Sequence, residues 1–110
     1  MDHNELNSVQ LLDAVICRME EAGPEGFNAY WPAQEDKPLA PCCIVGHAQH
    51  VTGDYRYDHM ASDPRIEEWA EVAKKLFDMN IIPSLAYRVR LGKDTYEGMM
   101  DKLRQIKAML

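Results

Sequence analysis

The chain has 110 residues, of which 46% are hydrophobic, and this length and composition are typical of one globular domain and not of a disordered segment. Its 12 basic and 18 acidic residues give a net charge of −6, which disfavours nonspecific binding to nucleic acid because such binding depends on Lys and Arg. We therefore expect residues 1–110 to form a single domain without a nucleic-acid partner.

Cysteine usage and the N-terminal sequence predict a cytoplasmic protein. Three cysteines, two of them adjacent at positions 42 and 43, make a poor disulfide framework and favour reduced thiols. The first ten residues are polar and lack the basic and apolar regions of a signal peptide. Because no apolar run approaches the roughly 20 residues that span a bilayer, we expect no membrane partner.

The first predicted element is an amphipathic helix over residues 6–22, where apolar residues recur at steps of three and four. Gly23 and Pro24 end it. Residues 23–40 contain three prolines but also Phe27, Tyr30 and Trp31, so we predict an ordered loop that these rings hold against the helices.

Two further helices are predicted in the middle of the chain. Pro41 suits the first turn of a helix that runs to residue 52, with Gly53 after its end. Asp63 is a predicted N-cap and Pro64 a predicted first helical residue of the next helix, whose end we expect near Asn80.

Residues 83–91 alternate in hydrophobicity as a strand would, but Pro83 suits a helix start and no second strand is evident to pair with them, so we predict a short helix. The sequence Asp94-Thr95-Tyr96-Glu97 has a capping-box pattern that predicts a last helix. The whole chain is therefore predicted to be an all-α, compact single domain of four to five short helices with an ordered aromatic loop.

The last helix raises the possibility of self-association. Its apolar residues follow a 3–4–3–4 spacing that resembles a coiled-coil seam, although two heptads are too few to establish one. As one alternative, the seam would join copies of the chain in a homodimer or larger homo-oligomer through Tyr96, Met99, Leu103, Ile106 and Leu110.

The stretch over residues 41–59 concentrates the residue types that bind metals. On a helix, one narrow stripe would hold Cys43, His47, His50 and Asp54. Zinc accepts thiolate, imidazole and carboxylate ligands, but the stripe spans about 10 Å, so one ion could reach only two of these side chains. A zinc site would need further ligands, for which the candidates are Asp58, His59 and His3.

Two other interpretations of this stretch remain open. In the first, Cys43 is a nucleophile whose pKa is lowered by the first turn of a helix, with His47 as its base. No oxyanion hole or third orienting group is evident for such an enzyme. In the second, which we favour, Cys43 is buried and the histidines lie half-exposed at the helix boundary, so that no cofactor is required.

A further candidate surface follows this stretch. Tyr55, Arg56 and Tyr57 are residue types that are enriched at protein interfaces, so they could bind a partner. Alternatively, the tyrosines cover the ends of the neighbouring helices, since Tyr commonly bridges core and water.

Several short motifs together resemble a known group of proteins. They are Gly23-Pro24-Glu25 followed by Phe27 and Trp31, the helix Cys43-Ile44-Val45-Gly46-His47-Ala48, and a terminal helix that starts at Asp94-Thr95-Tyr96. This arrangement is similar to small uncharacterised proteins of actinobacteria and their phages, which have a Pro-Glu-x-(Trp/Phe) turn and a Cys-x-x-Gly-x-Ala helix. The chain departs from the Pro-Glu-Glu-Trp form of the turn at Gly26-Phe27, where Glu-Trp would be expected, and it departs from the helix motif in its adjacent cysteines.

The resemblance implies a small cytosolic protein that acts on host machinery if a phage encodes it. No activity is established for that group, so the resemblance assigns no catalytic residue. Our leading hypothesis is a non-enzymatic interaction protein with a protein partner. Its rivals are a metal-binding or cysteine-based enzyme that uses Cys43, His47 and His50, and the homo-oligomer.

Overall fold

A computed structural model of the chain describes residues 6–110, and within that range the protein contains six α-helices and no strand. The all-α prediction is confirmed. The helices are α1 (Ser8–Ala22), α2 (Ile44–Thr52), α3 (Tyr57–Ala61), α4 (Pro64–Phe77), α5 (Pro83–Arg90) and α6 (Tyr96–Met109).

Helix α1 begins two residues later than predicted because Asn7 is its N-cap. The Asn7 side chain accepts a hydrogen bond from the Gln10 backbone, and the Gln10 side chain accepts one from the Asn7 backbone, which is a capping box. The helix ends at Gly23, whose φ of 69° lies in the region that favours glycine.

The loop between α1 and α2 is ordered, but only part of it is held by its rings. Phe27 packs against the core and makes an edge contact with Tyr96, their ring centroids 5.7 Å apart. An isolated parallel bridge also joins Phe27 to Cys42, and the backbone N–H of Cys43 donates to the Trp31 carbonyl at 2.8 Å. In contrast, the Trp31 side chain is 51% exposed.

Helix α2 begins at Ile44, three residues after the predicted start at Pro41. Cys42 is part of the extended bridge, so Cys43 is the N-cap and not a first-turn residue. Gly46 allows the loop to lie close to this helix, because a Cβ at this position would be only 2.7 Å from the Cβ of Cys42 and 3.0 Å from the backbone nitrogen of Ala33.

The second half of the chain largely follows the predicted boundaries. Helix α4 has Asp63 as its N-cap and Pro64 at its first position, as predicted, but it ends two residues early at Asp78, which adopts a left-handed φ of 56°. Residues Pro83–Arg90 are helical, as predicted. The N-cap of α6 is Thr95 and not Asp94.

The core lies between α1 and the helices that pack on it, which are α2, α4 and α6. Trp69 of α4 is fully buried there, and its indole N–H donates to the Ser8 carbonyl at 3.0 Å. The short helices α3 and α5 close the domain at its sides, with α3 against α2 and α4 and α5 against α2 and α6. The radius of gyration of 12.6 Å matches the value of about 13 Å expected for one domain of this length.

Across residues 6–110, none of the helices combines the length and the apolar character that crossing a membrane requires.

Candidate functional site

Cys43, the proposed nucleophile, serves a structural purpose at the start of α2. Its side chain is 5% exposed, and its Sγ accepts a hydrogen bond from the Gly46 backbone at 3.3 Å. Burial raises the pKa of the Cys43 thiol, although the hydrogen bonds that it accepts oppose this shift. The expectation that the helix terminus lowers this pKa is therefore wrong, because desolvation outweighs the effect of the cap.

His47 is also buried, contrary to the expected half-exposed position. Its ring is 2% exposed, and because the Gly26 carbonyl can only accept, Nε2 carries the hydrogen of their 3.0 Å hydrogen bond. Burial lowers the pKa of His47 to about 4, so the ring is neutral near pH 7. Within the described residues its Nδ1 has no hydrogen-bond partner.

His50 and Asp54 each have partners outside the stripe. His50 is half-buried, with its Nδ1 3.0 Å from the Tyr55 hydroxyl oxygen, and burial lowers its pKa. Asp54 accepts hydrogen bonds from Arg56 and contacts His59, and the bonds from Arg56 hold the pKa of Asp54 well below its usual range. The pair Asp54 and Arg56 thus forms a local ion pair next to α3.

The structure does not bring the proposed zinc ligands together. Cys43, His47, His50 and Asp54 have four different sets of partners, and among residues 6–110 no three His, Cys, Asp or Glu side chains are grouped so that they could hold a metal ion. Asp58 is exposed at the start of α3. His3, the remaining candidate ligand, lies outside the described residues.

The predicted interface segment is only partly exposed. Tyr55 is half-buried beside His50, and Tyr57 packs against the core, where burial raises its pKa. Arg56 is exposed but is bound to Asp54 at 3.1 Å. The positions of the two tyrosines fit the alternative in which they cover the helix ends.

The seam of α6 lies inside the single chain. Met99, Leu103 and Ile106 are all 0% exposed and belong to the core, and the Tyr96 hydroxyl donates to the Met19 carbonyl at 2.9 Å. Leu110 is half-buried against the same core. These side chains already pack against their own chain and are not presented to a second copy.

The structure exposes a different set of side chains, which we call the aromatic ledge: Tyr30, Tyr87 and Arg90, which contact one another, and Trp31, which follows Tyr30 in the chain. Tyr30, Trp31 and Tyr87 are 56%, 51% and 38% exposed. The rings of Tyr30 and Tyr87 lie 5.4 Å apart with 32° between their planes, and the guanidinium carbon of Arg90 is 5.7 Å from the centre of the Tyr30 ring. The ledge therefore joins the α1–α2 loop to the outer face of α5.

The segment that contributes Tyr87 and Arg90 to the ledge is basic in an otherwise acidic protein. Residues 83–93 include Arg88, Arg90 and Lys93 but no Asp or Glu. The next acidic residue, Asp94, is paired with Lys102 at 2.6 Å. The ledge thus combines aromatic surface with a local excess of positive charge.

Sequence reasoning missed the ledge for two reasons. The loop rings were expected to pack inward, and no exposed face was identified on the helix that was predicted over residues 83–91. One signal was available, because Tyr87 and Arg90 are three residues apart and therefore share a face once this segment is read as a helix.

Comparison with family models, with curated proteins and with solved structures finds no match for this chain. The candidate function consequently depends on the geometry and chemistry of its own residues.

Proposed function

We propose that the chain is a non-enzymatic protein-binding domain and that the aromatic ledge is its binding surface. The observation that carries the proposal is the contact between the exposed side chains of Tyr30, Tyr87 and Arg90, with the exposed ring of Trp31 next to Tyr30 in the chain. Trp, Tyr and Arg are the residue types that most often dominate the binding energy of protein interfaces. They provide a large apolar area while retaining polar groups for hydrogen bonds.

The order of the ledge also supports binding. The contact between Tyr30 and Tyr87 and the position of Arg90 over Tyr30 restrict these side chains before any partner arrives. Immobilising a flexible side chain on binding costs about 0.5–1.5 kcal/mol, and existing order reduces that loss. The same contacts join two segments that are far apart in sequence, so the surface depends on the complete fold.

The charge of the ledge indicates the chemistry of the partner. Arg88, Arg90 and Lys93 would attract a protein segment that carries Asp or Glu beside an apolar or aromatic anchor. Single-stranded nucleic acid would also stack on exposed rings, but the net charge of −6 opposes it. The resemblance to actinobacterial and actinophage proteins supports a host protein in the cytoplasm as the source of this segment.

A peptide-display selection tests the proposal while the identity of the partner is still open. Peptides are selected on the wild-type chain, and their affinities are then measured for the ledge variant Trp31→Ala/Tyr87→Ala. We expect selected peptides to combine an apolar anchor with acidic residues and to lose at least about tenfold in affinity for this variant, as hot-spot truncation does.

A matched control removes exposed apolar side chains from other places. Leu76 and Met109 are 38% and 63% exposed and lie in α4 and α6, which contribute no residue to the ledge, so Leu76→Ala/Met109→Ala removes exposed apolar side chains from outside it. The control should bind the selected peptides as the wild type does. Peptides that bind all three proteins equally, or a selection that enriches no peptide, would contradict the proposal.

Charge reversal at Arg90 separates electrostatic attraction from apolar contact. Arg90→Glu should weaken the binding of acidic peptides more than the binding of neutral peptides with the same anchor. This difference in affinity should shrink as salt is added. Equal effects on both peptides would remove the acidic partner from the proposal while leaving the aromatic contact.

A further inference from the structure

A cavity between α1, α2 and the loop that connects them shares no lining residue with the aromatic ledge. It has a volume of about 450 Å³ and is partly enclosed. α1 contributes Arg18 and Glu21, the following turn contributes Glu25, α2 contributes His47, and the loop contributes Leu39 and Ala40. Pockets of roughly 300–1,000 Å³ are typical of small-molecule sites.

The lining of the cavity carries both signs of charge. Arg18 donates to the Pro38 carbonyl at 2.5 Å, but within residues 6–110 it forms no ion pair, and neither does Glu21 or Glu25. A ligand with only a negative charge would be repelled by the two carboxylates, and a ligand with only a positive charge would be repelled by the guanidinium. A ligand that carries both charges would meet complementary groups on both sides of the cavity.

Two buried polar atoms beside the cavity have unused hydrogen-bonding capacity. In the described part of the chain, neither the Nε–H of Arg18 nor the Nδ1 of His47 has a partner. His47 is 2% exposed and its Nε2 is occupied by Gly26, so the free Nδ1 is an acceptor. Unsatisfied buried polar atoms are rare in folded proteins, and because these two are closed to solvent, a bound molecule would satisfy them only with a small shift of the Arg18 or His47 side chain.

We propose that this cavity binds a small zwitterion, specifically a free α-amino acid with an apolar side chain. Arg18 faces its carboxylate, Glu21 and Glu25 face its ammonium group, and its side chain contacts Ala40 and, at the exposed rim of the cavity, Leu39, which is 90% exposed. This site is independent of the aromatic ledge, so a peptide that binds the ledge and an amino acid that binds the cavity do not compete.

Binding is measured by titrating the full-length protein with three probes that share the leucine side chain and differ in their charged groups, followed by NMR chemical shifts and calorimetry. Leucine carries both charges, N-acetylleucine only the negative one and leucinamide only the positive one. We expect saturable binding of leucine, with shifts at the amides of Arg18 and His47, and at least tenfold weaker binding of the other two probes. Valine and methionine extend the series to other apolar side chains.

Three variants locate the site. Arg18→Gln should lower the affinity for leucine at least tenfold. Glu21→Gln should lower the affinity for leucine but leave the affinity for N-acetylleucine unchanged. Glu20 is exposed on the same helix but does not line the cavity, so Glu20→Gln should leave leucine binding unchanged. Glu21 is also exposed, so its variant is expected to fold even if Arg18→Gln does not.

Several results would overturn the proposal. One is the absence of saturable binding by leucine, valine and methionine. Another is equal affinity for leucine and either singly charged probe, which would mean that the cavity does not recognise both charges. Equal losses in Glu20→Gln and Glu21→Gln would place any binding elsewhere. None of these results bears on the ledge, whose test uses different variants and peptides.

Discussion

The start of α2 and the aromatic ledge differ in how their side chains are used. The start of α2 contains the reactive residue types Cys43 and His47, but both are buried and both make hydrogen bonds, Cys43 to the first turn of the helix and His47 to the preceding loop. The ledge contains ordinary aromatic residues, but Tyr30 and Trp31 are half exposed.

If the ledge is the binding surface that we propose, accessibility, more than residue type, separates structural from functional side chains in this protein. A buried thiol and a buried neutral imidazole stabilise the fold by satisfying backbone groups. An exposed aromatic cluster leaves much of its apolar surface uncovered by the chain, and that surface is available to a partner.

The largest expected effect comes from placing a charge in the interior. Leu103 is 0% exposed, so Leu103→Asp removes the packing of the leucine side chain and buries an unpaired carboxylate. The substitution should lower the free energy of unfolding by more than about 5 kcal/mol and unfold the domain. On the same helix Met109 is 63% exposed, and Met109→Asp should change stability by less than about 1 kcal/mol. Circular dichroism and light scattering measure both outcomes.

A folded, monomeric Leu103→Asp protein derived from a dimeric parent would contradict this account. It would show that the α6 seam joins two copies and that the core position of Leu103 is not essential.

The second prediction concerns the three thiols. Cys17 is exposed, whereas Cys42 and Cys43 are buried, and burial raises the pKa of the Cys42 thiol to about 12 and raises that of Cys43. Because the thiolate is the reactive form, Cys17 should react with iodoacetamide at pH 7.5 at least about a hundredfold faster than either buried thiol. Peptide mapping by mass spectrometry measures the three rates.

The denatured protein provides the control for this experiment, since all three thiols should then react at similar rates. Rapid native labelling of Cys43 that is lost in His47→Ala would instead support the cysteine-based enzyme.

The third prediction uses the pH dependence of stability. The pKa of His47 is about 4 in the folded protein, below the value of about 6.5 expected when unfolded, so the unfolded chain binds the proton more tightly. The stability that the neutral ring confers is complete above about pH 6.5 and is lost as the pH falls towards 4. Between pH 7 and 5 the loss should reach up to about 2 kcal/mol.

Urea denaturation of the wild type and of His47→Gln at both pH values measures this loss. The variant cannot take up the proton, so its stability should fall less over this range. Burial also lowers the pKa of His50, but that contribution is present in both proteins and cancels in the difference. Equal losses in the two proteins would mean that the pKa of His47 is not lowered in the folded state.

The smallest predicted effect tests whether the ledge is ordered before binding. A double-mutant cycle with Tyr30→Ala and Tyr87→Ala should give a coupling energy of about 1 kcal/mol, as expected for a pair of contacting rings. Denaturation of the four proteins measures it. A coupling energy of zero would show that the two rings move independently and that the ledge forms only with a partner.

The sequence predicted the helices better than it predicted their termini. Periodicity and the pair Asp63-Pro64 located α4, because apolar spacing and caps are local properties. The start of α2 was missed because the bridge between Phe27 and Cys42 holds the preceding residues extended, and that contact joins positions fifteen residues apart. Helix α3 was missed because five residues are too few to show a period.

The candidate sites were harder to predict because exposure is a property of the whole fold. Cys17 lies in the amphipathic helix α1, and only the folded structure shows that it is exposed. Tyr30 and Tyr87 meet only because the loop returns to α5, and no local pattern shows that contact. Arg18 and His47 likewise line one cavity although they belong to different helices.

The most direct test of the proposed binding surface is quantitative affinity capture from the lysate of an actinobacterium, the host group that the resemblance implies, with three baits: the wild type, Trp31→Ala/Tyr87→Ala and Leu76→Ala/Met109→Ala. Our account predicts a protein that the wild type and the Leu76→Ala/Met109→Ala control recover equally and that the ledge variant recovers at least tenfold less. That protein should then bind the purified wild type directly. Recovery of the same proteins by all three baits, or of no protein by any bait, would contradict the assignment of the ledge as the binding surface.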